Sequence, residues 1–139
     1  MAQAVRDVMT PDPVVVDVND TASKAAQEMR DADTGAIVVV KDGQIQGILT
    51  DRDIVVRAVA EGRDPREVKA GETCSEELAT LAPDQPVEEA IRLMRERHVR
   101  RLPVVEDSKP VGIVSIGDLA MERDEDSVLA EISAAPPNA

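Results

Sequence analysis

The chain writes one short pattern twice. "GILTDRD" runs from Gly47 to Asp53 and "GIVSIGD" from Gly112 to Asp118: a glycine, two aliphatics, a hydroxyl residue, two variable positions and an aspartate. The opening glycines and the closing aspartates are equally spaced, since 112 − 47 and 118 − 53 both give 65. Without a gap, the same offset aligns Ala25 with Ala90, Met29 with Met94, Arg30 with Arg95, Val39-Val40 with Val104-Val105, Asp42 with Asp107 and Ile48 with Ile113. The apolar pattern persists where identity fails, with Val14 to Val16 over Ala79 to Leu81 and Ile37 over Leu102. Repetition at this period means a duplicated supersecondary unit. Two copies are too few for a solenoid, so the expected outcome is a pseudo-two-fold pair sharing a core.

Each copy reads as strand, helix, strand, strand, helix. In the first, Val14 to Val16 is a short apolar strand. Asp20 or Thr21 caps a helix in which Ala22, Ala25, Ala26 and Met29 recur at helical spacing. The β-branched run "AIVVV" from Ala36 is a buried strand, Asp42-Gly43 a hairpin turn, and "QIQGILT" the return strand. Thr50 caps a second helix, "DRDIVVRAVAEG", which Gly62 ends. The second copy repeats the order with a short strand at Thr80-Leu81, Pro86 in a first helical turn, the hairpin "RLPVVE" and "PVGIVS", and a closing helix "IGDLAMERDED". The expected division is 5–62, a linker 63–73 with a turn at Asp64-Pro65, 74–126, and a tail 127–139. "SVLAEIS" in that tail reads as one or two helical turns and "AAPPNA" as disordered.

Composition narrows what such a fold can do. Hydrophobic residues make up 42% of the 139, but Phe, Tyr and Trp are absent. The core must be filled by Val, Ile, Leu, Ala and Met, and no aromatic platform exists for stacking single-stranded nucleic acid. Sixteen basic residues against 28 acidic ones give a net charge of −12, a field that repels nucleic-acid polymers and anionic membranes. One segment runs against it: Arg92, Arg95, Arg97, Arg100 and Arg101 stand beside His98. This basic island either holds a small anion or is a helix face paired with Glu88, Glu89 and Glu96. The single cysteine, Cys74, precludes an intrachain disulfide and fits a cytoplasmic protein. One Cys and one His cannot close a structural zinc site. The N-terminus reads as lacking a secretory signal, and no apolar run approaches a membrane span.

The repeated motif has a structural and a functional reading. A glycine in a strand permits close backbone approach or a bulge. Thr50 and Ser115 end strands and cap helices, a role worth about 0.5–2 kcal/mol. Asp53 and Asp118 fall three residues later, where a carboxylate completes a capping box and meets the helix dipole. The same groups also suit a ligand: a helix N-terminus accepts anions, and a carboxylate accepts hydrogen bonds from ribose hydroxyls.

Two such units, each closing in G-h-h-[T/S]-x-x-D, resemble the cystathionine-β-synthase (CBS) domain pair. The resemblance covers Val5 to about Asp124 and includes "RRLPVV" at Arg100 to Val105, "LAPDQPVEEAIRLM" and "VMTPDPVVVDVNDT". The chain is most similar to stand-alone bacterial CBS pairs through "LTDRDIVVRAVAEGRDP". The resemblance implies a mixed α/β fold of two β-α-β-β-α repeats with clefts that take AMP, ADP, ATP or S-adenosylmethionine. By position, Asp53 and Asp118 would hold ribose hydroxyls. Thr50 and Ser115 would meet ribose or phosphate oxygens, Arg100 and Arg101 would face phosphate, and Thr80 would lie near the base. The first copy departs from the pattern, with Gly35-Ala36 in place of Arg100-Arg101 and Val15 in place of Thr80. Its site is expected to be weak or empty.

Three functions compete at this level. A non-catalytic ligand sensor needs an anion contact, a ribose carboxylate and an apolar slot, and the sequence offers all three. A ligand-free dimeric scaffold or stress-response protein needs only the repeats. An enzyme reading finds just His98, at a helix-to-strand corner, and Cys74, which reads as a small buried filler. The sensor reading, not an enzyme, is the expectation, with an unidentified effector protein as its target. A homodimer is expected from the apolar surface of "DIVVRAVA".

Overall fold

The 65-residue offset reappears element by element. The computed structural model describes residues 3–75 and 79–123. Its elements are α1 (Val5–Val8), β1 (Thr10–Pro11), β2 (Val15–Asp17), α2 (Ala22–Ala32), β3 (Ala36–Lys41), β4 (Gln44–Thr50), α3 (Asp51–Ile54), α4 (Ala70–Thr73), α5 (Val87–Arg97), β5 (Arg101–Glu106), β6 (Lys109–Ser115) and α6 (Ile116–Arg123). Thus α4, α5, β5, β6 and α6 each begin 65 residues after α1, α2, β3, β4 and α3. Thr21 accepts from the Lys24 N–H and caps α2. Pro86 is the cap of α5 rather than part of its first turn. Both helices end on a left-handed residue, Asp33 and His98, types that tolerate that region.

The described residues divide into two compact units, one within Pro13–Leu78 and the other within Met1–Asp12 and Ala79–Ala139. The first holds the sheet β2-β3-β4, with β2 parallel to β3 and β3 antiparallel to β4. The second holds the sheet β1-β6-β5, antiparallel throughout. The two hairpins share a register irregularity at Val39/Val40 and Val104/Val105 and a turn with two positive φ angles, Asp42-Gly43 and Asp107-Ser108. Buried aliphatics form a cluster in each unit: Val16, Met29, Ile37, Val39 and Leu49 anchor one, and Leu81, Met94, Leu102, Val104 and Val114 the other.

The expected strand at Thr80-Leu81 is reduced to one parallel bridge, Leu81 to Val104. Proline explains this. In the first unit Val38 donates to Val14 and Val18 donates to Val40, both at 2.9 Å. The residues at those donor positions in the second copy are Pro103 and Pro83, which have no N–H. Only the bonds from Leu81 to Pro103 and from Val105 to Leu81 survive.

The units also cut across the sequence copies. Ala70 donates to Asp20 (2.7 Å), and Val5 donates to Gln85 (2.8 Å). These bonds are equivalent under the offset, with the partners exchanged. The lead-in segment of each copy, α1 with β1 or α4 with Ser75, packs into the unit built by the other copy's strands. The stretch read as linker therefore carries α4, besides the turn at Asp64 that accepts from Glu67. The boundaries 5–62, 63–73 and 74–126 follow the repeat, whereas the units follow the packing. The tail 127–139 lies outside the described residues.

Candidate functional site

The motif's glycine is explained by the exchange. A Cβ on Gly47 would lie 2.2 Å from the Ser75 carbonyl oxygen and 3.1 Å from Cys74 Sγ. On Gly112 it would lie 2.5 Å from Met9 Sδ and 3.0 Å from the Thr10 oxygen. At each glycine the exchanged lead-in backbone crosses the strand, with bridges from Ile48 to Ser75 and from Ile113 to Thr10. A side chain at Gly47 would have to displace backbone, and one at Gly112 would have to displace the flexible Met9 side chain.

The hydroxyl and the aspartate form a reciprocal capping box in both copies. The Asp53 N–H donates to Thr50 Oγ1 (3.1 Å), and the Thr50 N–H donates to Asp53 Oδ2 (2.9 Å). The Asp118 N–H donates to Ser115 Oγ (3.1 Å), and the Ser115 N–H to Asp118 Oδ2 (2.9 Å). One carboxylate oxygen of each aspartate is thereby committed to the fold, and its Oδ1 is left for other partners. Asp53 Oδ1 faces the Arg57 guanidinium at 4.0 Å. Among the described residues Asp118 has no ion pair.

Of the residues read as a site, Arg100, Arg101, Thr80, Ser115 and Asp118 belong to one unit, and Thr50 and Asp53 to the other. Arg101 opens β5 directly across from Ser115, so the two Cβ atoms leave the same face of the sheet. The Arg100 carbonyl accepts from the Ile116 N–H (2.8 Å), which fixes the strand's start against the first residue of α6. The exposed Arg101 thus shares a sheet face with the Ser115 hydroxyl, next to the start of the helix that carries Asp118, and the exposed Arg100 precedes it in the chain. In the other unit buried Ala36 stands across from Thr50, and Gly35 accepts from Asp51 (3.0 Å). The hairpin register matches, and counterparts of Arg100 and Arg101 are missing. Thr80 is exposed, one residue before the Leu81 bridge.

The basic island divides. Arg92 lies between Glu89 and Glu96, donating to Glu89 Oε2 at 3.1 Å and to both Glu96 oxygens at 2.9 Å. Its guanidinium holds the Glu89 carboxyl below the usual range. Arg92 is therefore the paired helix face that the sequence allowed. Arg95, Arg97, Arg100 and Arg101 form no ion pair among the described residues. His98 is exposed at the C-cap of α5, and Cys74 is buried in a core cluster. Sequence reasoning missed Arg57. Its guanidinium donates to the carbonyls of Thr73 (2.8 Å) and Cys74 (3.2 Å). The available signal was its i+4 spacing from Asp53.

Comparison with known proteins sets these features in context. The CBS domain profile matches residues 5–59 and again 70–125. CBS domain-containing protein YhcV of Bacillus subtilis is 42% identical over 120 residues, spanning 86% of this chain and 85% of the relative. Hypoxic response protein 1 of Mycobacterium tuberculosis is 35% identical over 130 residues, spanning 93% and 91%. The crystal structure of Hypoxic Response Protein I with two coordinated zinc ions aligns with a TM-score of 0.77 at 36% identity, covering 85% of this chain and 97% of that one. A CBS pair in complex with 5′-methylthioadenosine and S-adenosyl-L-methionine aligns with a TM-score of 0.81, covering 91% and 100%; at 23% identity it shows the fold alone. Zinc belongs to the former protein. Here the Cys74 thiol sits in the core, 3.8 Å from the Gly71 oxygen. Among the described residues no group of three or more His, Cys, Asp and Glu side chains is placed to hold a metal.

Proposed function

The chain belongs to the CBS domain family, and from that premise we propose that it is a non-catalytic regulatory module that binds an adenosine ligand of the AMP, ADP or ATP class. CBS pairs are regulatory modules, and one neighbour of this fold holds two adenosine ligands. The observation that carries the reading is the pairing of Arg101 across from Ser115, with Asp118 opening the next helix. A phosphate meets Arg100 and Arg101, and a ribose hydroxyl donates to the Asp118 oxygen that the capping box leaves over. The net charge of −12 opposes an anionic ligand, but charges beyond about 8–10 Å are screened at physiological salt. A charge-assisted contact from an arginine is worth about 1.5–3 kcal/mol at short range, so the local cations win where they exist. The first copy lacks them, and Thr50 and Asp53 contribute less.

Calorimetry with AMP and ATP tests this. Asp118→Asn keeps one acceptor for the Ser115 N–H and is expected to weaken binding about tenfold, the loss of one charge-assisted bond. Arg101→Ala is expected to do the same, and Asp53→Asn to cost less. Equal losses at Asp53 and Asp118 would make the copies equivalent. No binding of AMP or ATP by the parent protein would leave the scaffold reading.

That second reading has its own observation. Val55, Val56 and Val59 are 56%, 43% and 55% exposed on one short helical stretch. Such a cluster favours a homodimer, with or without ligand. Light scattering that gives a monomer at micromolar concentration would exclude it. Among the described residues no helix is long and apolar enough to cross a membrane, and the single Cys74 fits our placement of the protein in the cytoplasm.

A further inference from the structure

We propose that Arg57 is a one-sided latch that couples the charge on Asp53 to the hold on the exchanged segment around α4. The guanidinium has two duties at once. It donates to the carbonyls of Thr73 and Cys74, the C-terminal end of α4, which no residue of that four-residue helix can satisfy. It also stands 4.0 Å from Asp53 Oδ1, an ion pair without a hydrogen bond. Asp53 is in turn fixed by the Thr50 N–H through its other oxygen. A chain of contacts therefore runs from the motif helix, through one cation, to the backbone that crosses Gly47.

Local geometry places Arg57 there. Residues Val55–Val59 continue α3 with wider, i to i+5 bonding, as in the Ala60 N–H to Val55 oxygen bond (2.8 Å). Interruptions of this kind recur where a helix carries a function. The sequence does not repeat the arginine: the residue 65 positions after Arg57 is Glu122. Any ligand group that engages Asp53 competes with Arg57 for the same oxygen and so alters the hold on residues 70–75. The first copy, poorly furnished to bind phosphate, is furnished to transmit. This inference concerns the carboxylate of the proposed ligand motif, but its test needs no ligand and stands apart from the nucleotide titrations.

Cys74 is the sole thiol and is buried, so its labelling by a disulfide reagent under native conditions reports opening of this segment without background. Four variants suffice: Arg57→Ala, Arg57→Lys, Asp53→Asn, and Arg30→Ala, which removes an exposed ion pair with Asp31 in the same unit. Urea melts of each give its global stability. Arg57→Ala is expected to label about tenfold faster than the parent, from loss of charge-assisted carbonyl bonds. Arg57→Lys, which keeps the charge on a single donor nitrogen in place of the guanidinium fork, should fall between. Asp53→Asn retains an acceptor for the helix cap and should label about two- to fivefold faster, the scale of an exposed ion pair. Arg30→Ala should match the parent. Acceleration at Arg57 without any at Asp53 would overturn the coupling. Acceleration fully accounted for by lower global stability would overturn the latch, as would no acceleration.

Discussion

The ends of β4 and β6 are the same device in different company. In both, a hydroxyl residue and an aspartate three positions later exchange hydrogen bonds at 3.1 and 2.9 Å. In both, a glycine admits a crossing backbone. What differs is what stands beside them. Ser115 faces Arg101, whereas Thr50 faces Ala36; Asp53 has Arg57 four residues on, and Asp118 has Glu122. The repeated letters therefore encode the fold, and the unrepeated neighbours set the chemistry. A motif kept in both copies is weak support for two ligand sites, because capping and close approach already require it.

The largest effect that can break this comparison is at the glycines. Gly47→Ala drives a methyl to 2.2 Å from a backbone oxygen, Ser75, which cannot move without shifting the bridge to Ile48. The worst contact at Gly112→Ala is with the Met9 thioether, which can rotate. Overpacking of this kind costs about 1–3 kcal/mol, with Gly47 expected at the upper end and Gly112 at the lower. Urea melts of the two variants measure it. A larger loss at Gly112 would mean that the crossings are held differently from what the contacts indicate.

Next come the caps. Thr50→Ala and Ser115→Ala each remove an acceptor at the same distance, so each is expected to lose about 1 kcal/mol of stability. Their effects on AMP affinity should differ, with Ser115→Ala the more damaging. Equal stability losses with unequal affinity losses would separate the shared structural role from the unshared binding role. A stability loss at only one position would show that the copies differ already at the level of the cap.

Much of this was legible in the letters. The offset located α2, β3, β4 and α3 together with their counterparts, because hairpin turns, β-branched runs and helical apolar spacing are local signals. Two features were not legible. The exchange of lead-in segments is a long-range fact, and α1 and α4, four residues each, are too short to show a period. The lost strand at Leu81 was readable in principle, since Pro83 and Pro103 cannot donate, but only after the parallel ladder was known. For the site, the residue types and their grouping by copy were in the sequence. The register that sets Arg101 across from Ser115 follows from the hairpin. The second duty of Arg57 needed α4 to be placed first.

The smallest expected effect sharpens the comparison between α5 and α2. On α5, Glu89, Arg92 and Glu96 form an exposed network; the equivalent positions on α2 are Lys24, Gln27 and Asp31, which cannot reproduce it. Hydrogen bonding from Arg92, the largest cause, holds the Glu89 carboxyl below its usual value of 4.5. A carboxylate whose folded pKa is depressed adds stability that is present above the unfolded value and is lost as pH falls through the folded one. Position in the first turn of α5 acts in the same sense, because the helix dipole favours the charged form. Glu89→Gln removes both contributions. Thermal melts of parent and variant are therefore expected to differ slightly above pH 4.5, with the parent more stable, and to converge as the pH is lowered further. Titrations common to both proteins cancel in the difference. The gap should also shrink in 1 M salt, where the screening length falls to about 3 Å. A gap that persists at low pH would show that Glu89 acts through packing rather than charge, and a gap of opposite sign would show that the Arg92 network costs more in side-chain ordering than it returns.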